Sequence, residues 1–262
     1  MAWQGRISEA GARIAAHVRR TPVMQVDLGG VPVALKLEQM QHTGSFKARG
    51  AFNTLLQTAV PEAGIVAASG GNHGAAVAYA AARLGHRARI YVPEIAGPSK
   101  IALIRAQGAD LQVVPGAYAE AAARAAEWRV ATGAIEVHPY DAETTVAGQG
   151  TVLAEWEDQG LDAAPVLIAV GGGGLIAGAL GWLGARRRVV AVEPETSCAL
   201  HAALGAGAPV DVEVSGVAAN ALGARRIGEI CLGLAQGQGV QSVLVRDAAI
   251  LEAQAILWRE VR

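Results

Sequence analysis

Val166-Leu167-Ile168-Ala169-Val170-Gly171-Gly172-Gly173-Gly174-Leu175-Ile176-Ala177 is the stretch that decides the class of fold. No charged residue stands between Val166 and Ala185, and Arg186, Arg187 and Arg188 follow at once, so length alone would allow a bilayer crossing. The glycines argue against one. Each of Gly171 to Gly174 would cost about 1 kcal/mol relative to alanine inside a helix, so the economical parse is a strand, a glycine turn and then a helix.

The same alternation runs through the chain in both directions. Short Val/Ile-rich runs predict strands at Val33 to Leu37, Ile65 to Ala68, Arg89 to Val92, Leu111 to Val114, Ile135 to Val137, Val166 to Val170, Val189 to Val192 and Val240 to Val245. Ala-rich stretches predict helices at Ser8 to Val18, Phe46 to Thr58, Ala75 to Leu84, Ser99 to Gln107, Tyr118 to Ala131, Leu175 to Leu183 and Asp247 to Val261, the last with Asp247 as its cap. Buried strands joined by crossover helices give an α/β fold with mostly parallel sheets flanked by helices. No repeat, charge block or Ser/Pro-rich linker interrupts the 262 residues, so two domains would share a seam rather than a tether.

A formal net charge of -1 offers no basic stripe that could neutralise many phosphates, which argues against a nucleic-acid partner and for a small molecule. The two cysteines, Cys198 and Cys231, lie in neither disulfide-scaffold nor metal spacing and suit a reducing cytosol. Met1 to Arg20 carries Arg6, Glu9, Arg13, Arg19 and Arg20 with no uninterrupted apolar stretch and reads as an amphipathic helix, not as a secretory signal.

Three segments place glycine and polar residues at strand-to-helix turns, the sheet edge where α/β proteins bind ligands. In His42-Thr43-Gly44-Ser45-Phe46-Lys47, the lysine enters a helix without an adjacent carboxylate. Most lysines in a first helical turn are solvated surface residues. One that is partly desolvated near the positive end of the dipole has a lowered pKa and can act as a nucleophilic amine. In Ser69-Gly70-Gly71-Asn72-His73-Gly74 the glycines permit close ligand approach and Asn72 offers two donors and an acceptor; the bland alternative is a tight turn with a helix cap. Nothing nearby in sequence orients His73 as a base, so it reads better as structural. Gly171, Gly172, Gly173 and Gly174 would present unpaired amides at a helix start, a ready anion site. The run lacks both a GK[ST] ending and a third glycine at dinucleotide spacing, which leaves a phosphate-bearing cofactor of another kind, or close packing alone.

Taken in order, Lys36-Leu37-Glu38, Thr43 to Ala51, Ser69 to Gly74, Val92-Pro93-Glu94, Gly148-Gln149-Gly150-Thr151, Gly171 to Gly174 and Val192-Glu193-Pro194 resemble the threonine and serine dehydratases, pyridoxal-phosphate enzymes of the tryptophan synthase β-like fold type II. The resemblance implies pyridoxal 5'-phosphate held as a Schiff base by Lys47, with Phe46 beneath it, Asn72 on its phenolic oxygen, and Gly171 to Gly174 with Leu175 around its phosphate. It implies that Ser69, Gly70, Gly71, Asn72 and His73 bind the carboxylate of a small amino-acid substrate, and that Lys47 and Ser69 are the catalytic residues. In this family the cofactor phosphate is thought to protonate the leaving hydroxyl. A smaller domain, residues 49–143, would be inserted into a larger one made of 1–48 and 144–262, in a cytoplasmic homodimer.

The chain also departs from the family pattern. Gly70 stands where the racemase branch places a serine, which disfavours racemisation, and no carboxylate follows Glu193 where some relatives hold a cation, so no metal is expected. Relatives continue beyond a helix like Asp247 to Val261 into a segment that serves the pyridine nitrogen. The expected activity is dehydration and deamination of L-threonine or L-serine; the alternatives are a cofactor-binding but impaired truncated homologue, or a dehydratase of another hydroxy amino acid such as 3-hydroxyaspartate.

Overall fold

The computed structural model describes residues 2–116 and 118–261; Met1, Ala117 and Arg262 lie outside the described residues, Met1 and Arg262 being the outer limits of the expected larger domain. Helix α1 (Trp3–Ile14) leads into the hairpin β1 (Val23–Asp27) and β2 (Pro32–Lys36). Then come α2 (Lys47–Leu56), β3 (Ile65–Ala68), α3 (Asn72–Arg83), β4 (Ala88–Pro93), α4 (Pro98–Arg105), β5 (Asp110–Val114), α5 (Tyr118–Thr132) and β6 (Ile135–Glu136). The chain continues through α6 (Glu143–Asp158), β7 (Val166–Ala169), α7 (Gly174–Leu183), β8 (Val189–Pro194), α8 (Ala199–Ala206), α9 (Ala219–Leu222), α10 (Glu229–Gly237), β9 (Gln241–Val245) and α11 (Asp247–Glu260).

The parallel α/β arrangement is as expected. One sheet has the order β5-β4-β3-β6 and another β7-β8-β9, all pairs parallel, while β1 and β2 form a separate antiparallel ribbon. Strand β3 is buried throughout, as a central parallel strand requires. Its sheet packs on Ala-rich α3, whose small side chains let helix and strands approach closely; Ala75, Ala76 and Ala80 have no exposed surface. A second core joins β7 and β8 to α7 and α10 through Ile168, Ile176, Leu180, Leu183 and Cys231. Each fully buried leucine or isoleucine there contributes about 1.5 to 3 kcal/mol.

Helix α6 runs between these cores and is absent from the helices that periodicity predicts. Its Gly148, Gly150, Thr145 and Thr151 are poor helix formers, and Thr145 through Leu153 are all buried, so no amphipathic stripe marks it. Tertiary packing forms it. A Cβ on Gly148 would lie 2.6 Å from the Arg49 carbonyl oxygen of α2, and one on Gly178 of α7 would lie 2.5 Å from the Gly150 nitrogen. The three backbones therefore touch along α6, which spaces the helix that begins at Lys47 from the helix that begins at Gly174. Helix α1 begins at Trp3 rather than Ser8, because Ile7 and Ala10 pack on Ala147 of α6 while Ile14 joins the core around α2. Asp247 does not cap α11: its carboxylate accepts from the Val217 amide at 3.1 Å and the Thr196 hydroxyl at 3.2 Å.

Candidate active site

Lys47 is the first residue of α2, and its side chain turns toward the turn between β6 and α6. The amine donates to the Pro139 carbonyl at 2.8 Å and stands 5.1 Å from the centroid of the Phe46 ring, the residue that precedes it. Enclosure of the amine in this wall lowers its pKa to about 8, since burial penalises the charged form. The loop before it is held out of the ordinary backbone minima: Thr43 has φ 61 and Gly44 φ 77. A β-branched residue in that region costs about 1 to 3 kcal/mol, a strain found where a loop is fixed for use.

The Pro139 carbonyl also accepts from Gln149 Nε2 at 3.1 Å, and the other end of that amide, Oε1, sits where a Cβ on Gly174 would overlap it. Lys47 and the glycine run are thereby neighbours across one proline and one glutamine. Gly173 has φ 93, and a Cβ there would strike Cys231 Sγ at 2.5 Å; on Gly172 it would overlap the Tyr140 ring. Only glycine fits at these positions. Among the described residues the amides of Gly171, Gly172 and Gly173 meet no acceptor, and they open onto the N-terminus of α7. Leu175 follows in the first turn of that helix.

The serine and asparagine turn follows β3. The Ser69 hydroxyl accepts from the Gly71 amide at 3.2 Å, Asn72 is the first residue of α3, and a Cβ on Gly70 would overlap that of Ala96. His73 is buried with Nε2 donating to the Val137 carbonyl at 2.7 Å; burial first, then the charge of nearby Lys47, lowers its pKa to about 3. It is thus a neutral anchor, consistent with a structural role. The Lys47 turn and the glycine run meet through Pro139 and Gln149, and Lys47 acts on His73 of the third turn through its charge.

The turn His138-Pro139-Tyr140-Asp141 has no role in the sequence-based expectations. His138 Nδ1 accepts from the Tyr140 and Asp141 amides, and the Asp141 carboxylate accepts from the Glu229 and Ile230 amides at the start of α10. A proline and an aromatic directly after a predicted strand are the available signal. Glu193, the residue weighed for a cation, instead accepts from the Leu200 and His201 amides at 2.8 Å each.

The donor set suits a phosphorylated aldehyde cofactor. An amine of lowered pKa, free amides at a helix start, and the buried unpartnered atoms Thr43 Oγ1, Ser45 Oγ and Gln149 Oε1 lie on the elements that meet here. Among the described residues no helix is long and apolar enough to cross a membrane.

Comparison with known proteins places the chain in a family. The chain is 38% identical over 272 residues to the biosynthetic L-threonine dehydratase of Mycobacterium leprae, covering 97% of this chain and 63% of that protein. It spans 55% of the corresponding Corynebacterium glutamicum protein, so its relatives are longer. The crystal structure of the T.th. threonine deaminase superposes with a TM-score of 0.90 at 34% identity, covering 98% of this chain and 86% of that one. Maize serine racemase gives 0.92 at 29%, covering 98% and 81%. Residues 14–262 match the family described as pyridoxal-phosphate dependent enzyme, and the chain belongs to that family.

Proposed function

We propose that this chain dehydrates and deaminates L-threonine or L-serine to the 2-oxo acid and ammonia. The observation that carries the reading is the enclosed Lys47 amine set beside the glycine run that opens α7. Pyridoxal phosphate supplies, when bound, an electron sink for negative charge developing at the substrate Cα. Lys47 would hold it through Nζ, Phe46 would lie beneath it, Asn72 would reach its phenolic oxygen, and the amides of Gly171 to Gly174 with Leu175 would hold its phosphate.

The Ser69 hydroxyl and the amides of the turn through His73 bind the substrate carboxylate. Lys47, neutral once released, takes the Cα proton onto Nζ, and a pKa of about 8 leaves a useful fraction unprotonated near neutrality. Gly70 offers no group on the opposite face of the substrate, and Ala96 occupies the space a side chain there would need, which supports elimination over racemisation. In this reading residues 49–143 form the smaller domain, the larger one is 1–48 with 144–262, and the assembled form is a cytoplasmic homodimer, the compartment in keeping with two free thiols. The test is release of 2-oxo acid from L-threonine and from L-serine by the chain supplied with pyridoxal phosphate. We expect turnover of at least one, lost on the order of 10^3-fold in Lys47→Ala; cofactor binding without turnover of either would favour a non-catalytic cofactor-binding role.

A second reading keeps the chemistry and changes the substrate to another hydroxy amino acid, such as 3-hydroxyaspartate. Arg226, exposed and paired with Asp211 at 3.2 Å, lies within electrostatic reach of Tyr140 beside the glycine run and would be the cation to meet such a substrate's second carboxylate. Release of 2-oxo acid from 3-hydroxyaspartate, but from neither L-threonine nor L-serine, would select it.

A further inference from the structure

Among the described residues the largest fully buried side chain is a cation, Arg49, 1% exposed and two residues beyond Lys47 on α2. Its guanidinium is held by two carboxylates. Nε and Nη2 donate to the two oxygens of Glu38 at 2.9 and 2.7 Å, and Nη1 and Nη2 donate to the two oxygens of Glu155 at 3.0 and 3.1 Å. Longer contacts reach Thr151 Oγ1, Thr21 Oγ1 and the Arg19 carbonyl. Lys36 completes the group by donating to Glu155 Oε1 at 2.5 Å, so two cations balance two carboxylates in the interior. Burial of four charged groups is costly, and stability alone does not account for keeping them where an apolar cluster would serve.

Geometry supplies an account. Residues i and i+2 of a helix point about 200° apart, so Arg49 and Lys47 leave α2 on opposite sides. Arg49 grips α6 near its end, at Glu155, and Lys47 rests on Pro139, just before α6 begins. Between them α2 and α6 touch backbone to backbone at Gly50 and Gly148; Asn53 and Thr54 bond Thr144 and Thr145 at the start of α6, so resistance to rolling is still needed at its far end. The bidentate forks supply that resistance, since each holds a plane as well as a distance.

We propose that Arg49 is a positioning residue that sets the height and rotation of α2 against α6, and through them where the Lys47 amine stands. This rests on the reading of Lys47 as the reactive amine. The test is competitive acylation of the cofactor-free protein with acetic anhydride across pH, followed by peptide mass spectrometry at Lys47, with Lys100 as the internal reference and thermal unfolding measured in parallel. In the unsubstituted protein Lys47 should titrate near 8.

Arg49→Met should move that midpoint upward by about one unit or more, as the amine leaves its enclosed seat. Part of that shift would be Coulombic, because the substitution leaves a net negative group. Arg49→Lys keeps the charge and loses the planar fork, so an upward shift there reports position; it also decides the matter if Arg49→Met does not fold. Lower melting temperatures with both midpoints unmoved would make Arg49 merely structural and overturn the proposal. A midpoint at the ordinary lysine value in the unsubstituted protein would instead overturn the reading of Lys47, and the proposal with it.

Discussion

The amine of Lys47 and the carbonyl of Pro139, 92 positions apart in sequence, meet at 2.8 Å. This contact joins the start of α2 to the turn before α6 and encloses the amine, and the depressed pKa follows from the enclosure.

A half-buried lysine whose desolvated amine has a pKa lowered to about 8 penalises the folded state while it is charged. Below that pH the penalty is full; it disappears as pH rises toward the ordinary lysine value, because over this window the unfolded chain binds more protons. Cofactor-free Lys47→Met should therefore be more stable at pH 7, by on the order of 2 kcal/mol, and should lose the advantage near pH ~10.5. Urea unfolding at about pH 7 and pH 10 checks this.

His73 carries the same logic at lower pH. Folded, it titrates near 3, below its ordinary value, so its contribution to stability is present above about 6.5 and is lost as pH falls from there toward 3. His73→Leu should flatten that part of the acid-unfolding curve and cost about 1 to 3 kcal/mol near neutrality by orphaning the Val137 carbonyl. Unfolding midpoints measured between about pH 4 and pH 7 read both effects.

Gly173→Ala combines a positive φ with a Cβ 2.5 Å from Cys231 Sγ. Loss of about 2 to 4 kcal/mol is expected, together with weaker pyridoxal phosphate binding at constant pH. Gly205→Ala, on α8 with open space around the added carbon, is the control: it should leave cofactor titrations unchanged and stabilise by up to about 1 kcal/mol in thermal melts.

The two thiols should differ. Cys231 is 1% exposed beneath Gly173, and burial pushes its pKa up to about 12, whereas Cys198 is half-buried. Ellman's reagent at about pH 8 should label Cys198 alone in the folded protein and both after denaturation.

Much of the site was legible in the sequence because glycines and a lysine at strand ends are local signals. Gly171 to Gly174 predict a strand, a turn and a helix, and β7 and α7 are there. The wall of the site was not legible. Pro139 contributes a carbonyl, which no residue type announces, and Gln149 lies in α6, whose buried glycines and threonines hide the helical period. The dual carboxylate grip on Arg49 is likewise a product of topology, since Glu38 precedes and Glu155 follows the whole β5-β4-β3-β6 sheet in sequence.

The most direct test of the account is the visible spectrum of the chain mixed with pyridoxal phosphate, followed by borohydride reduction and peptide mapping. The account predicts a visible band that Lys47→Ala lacks, and a phosphopyridoxyl mass increment on the peptide that holds Lys47. No band, a band retained in Lys47→Ala, or an increment on Lys36 or Lys100 instead would contradict it.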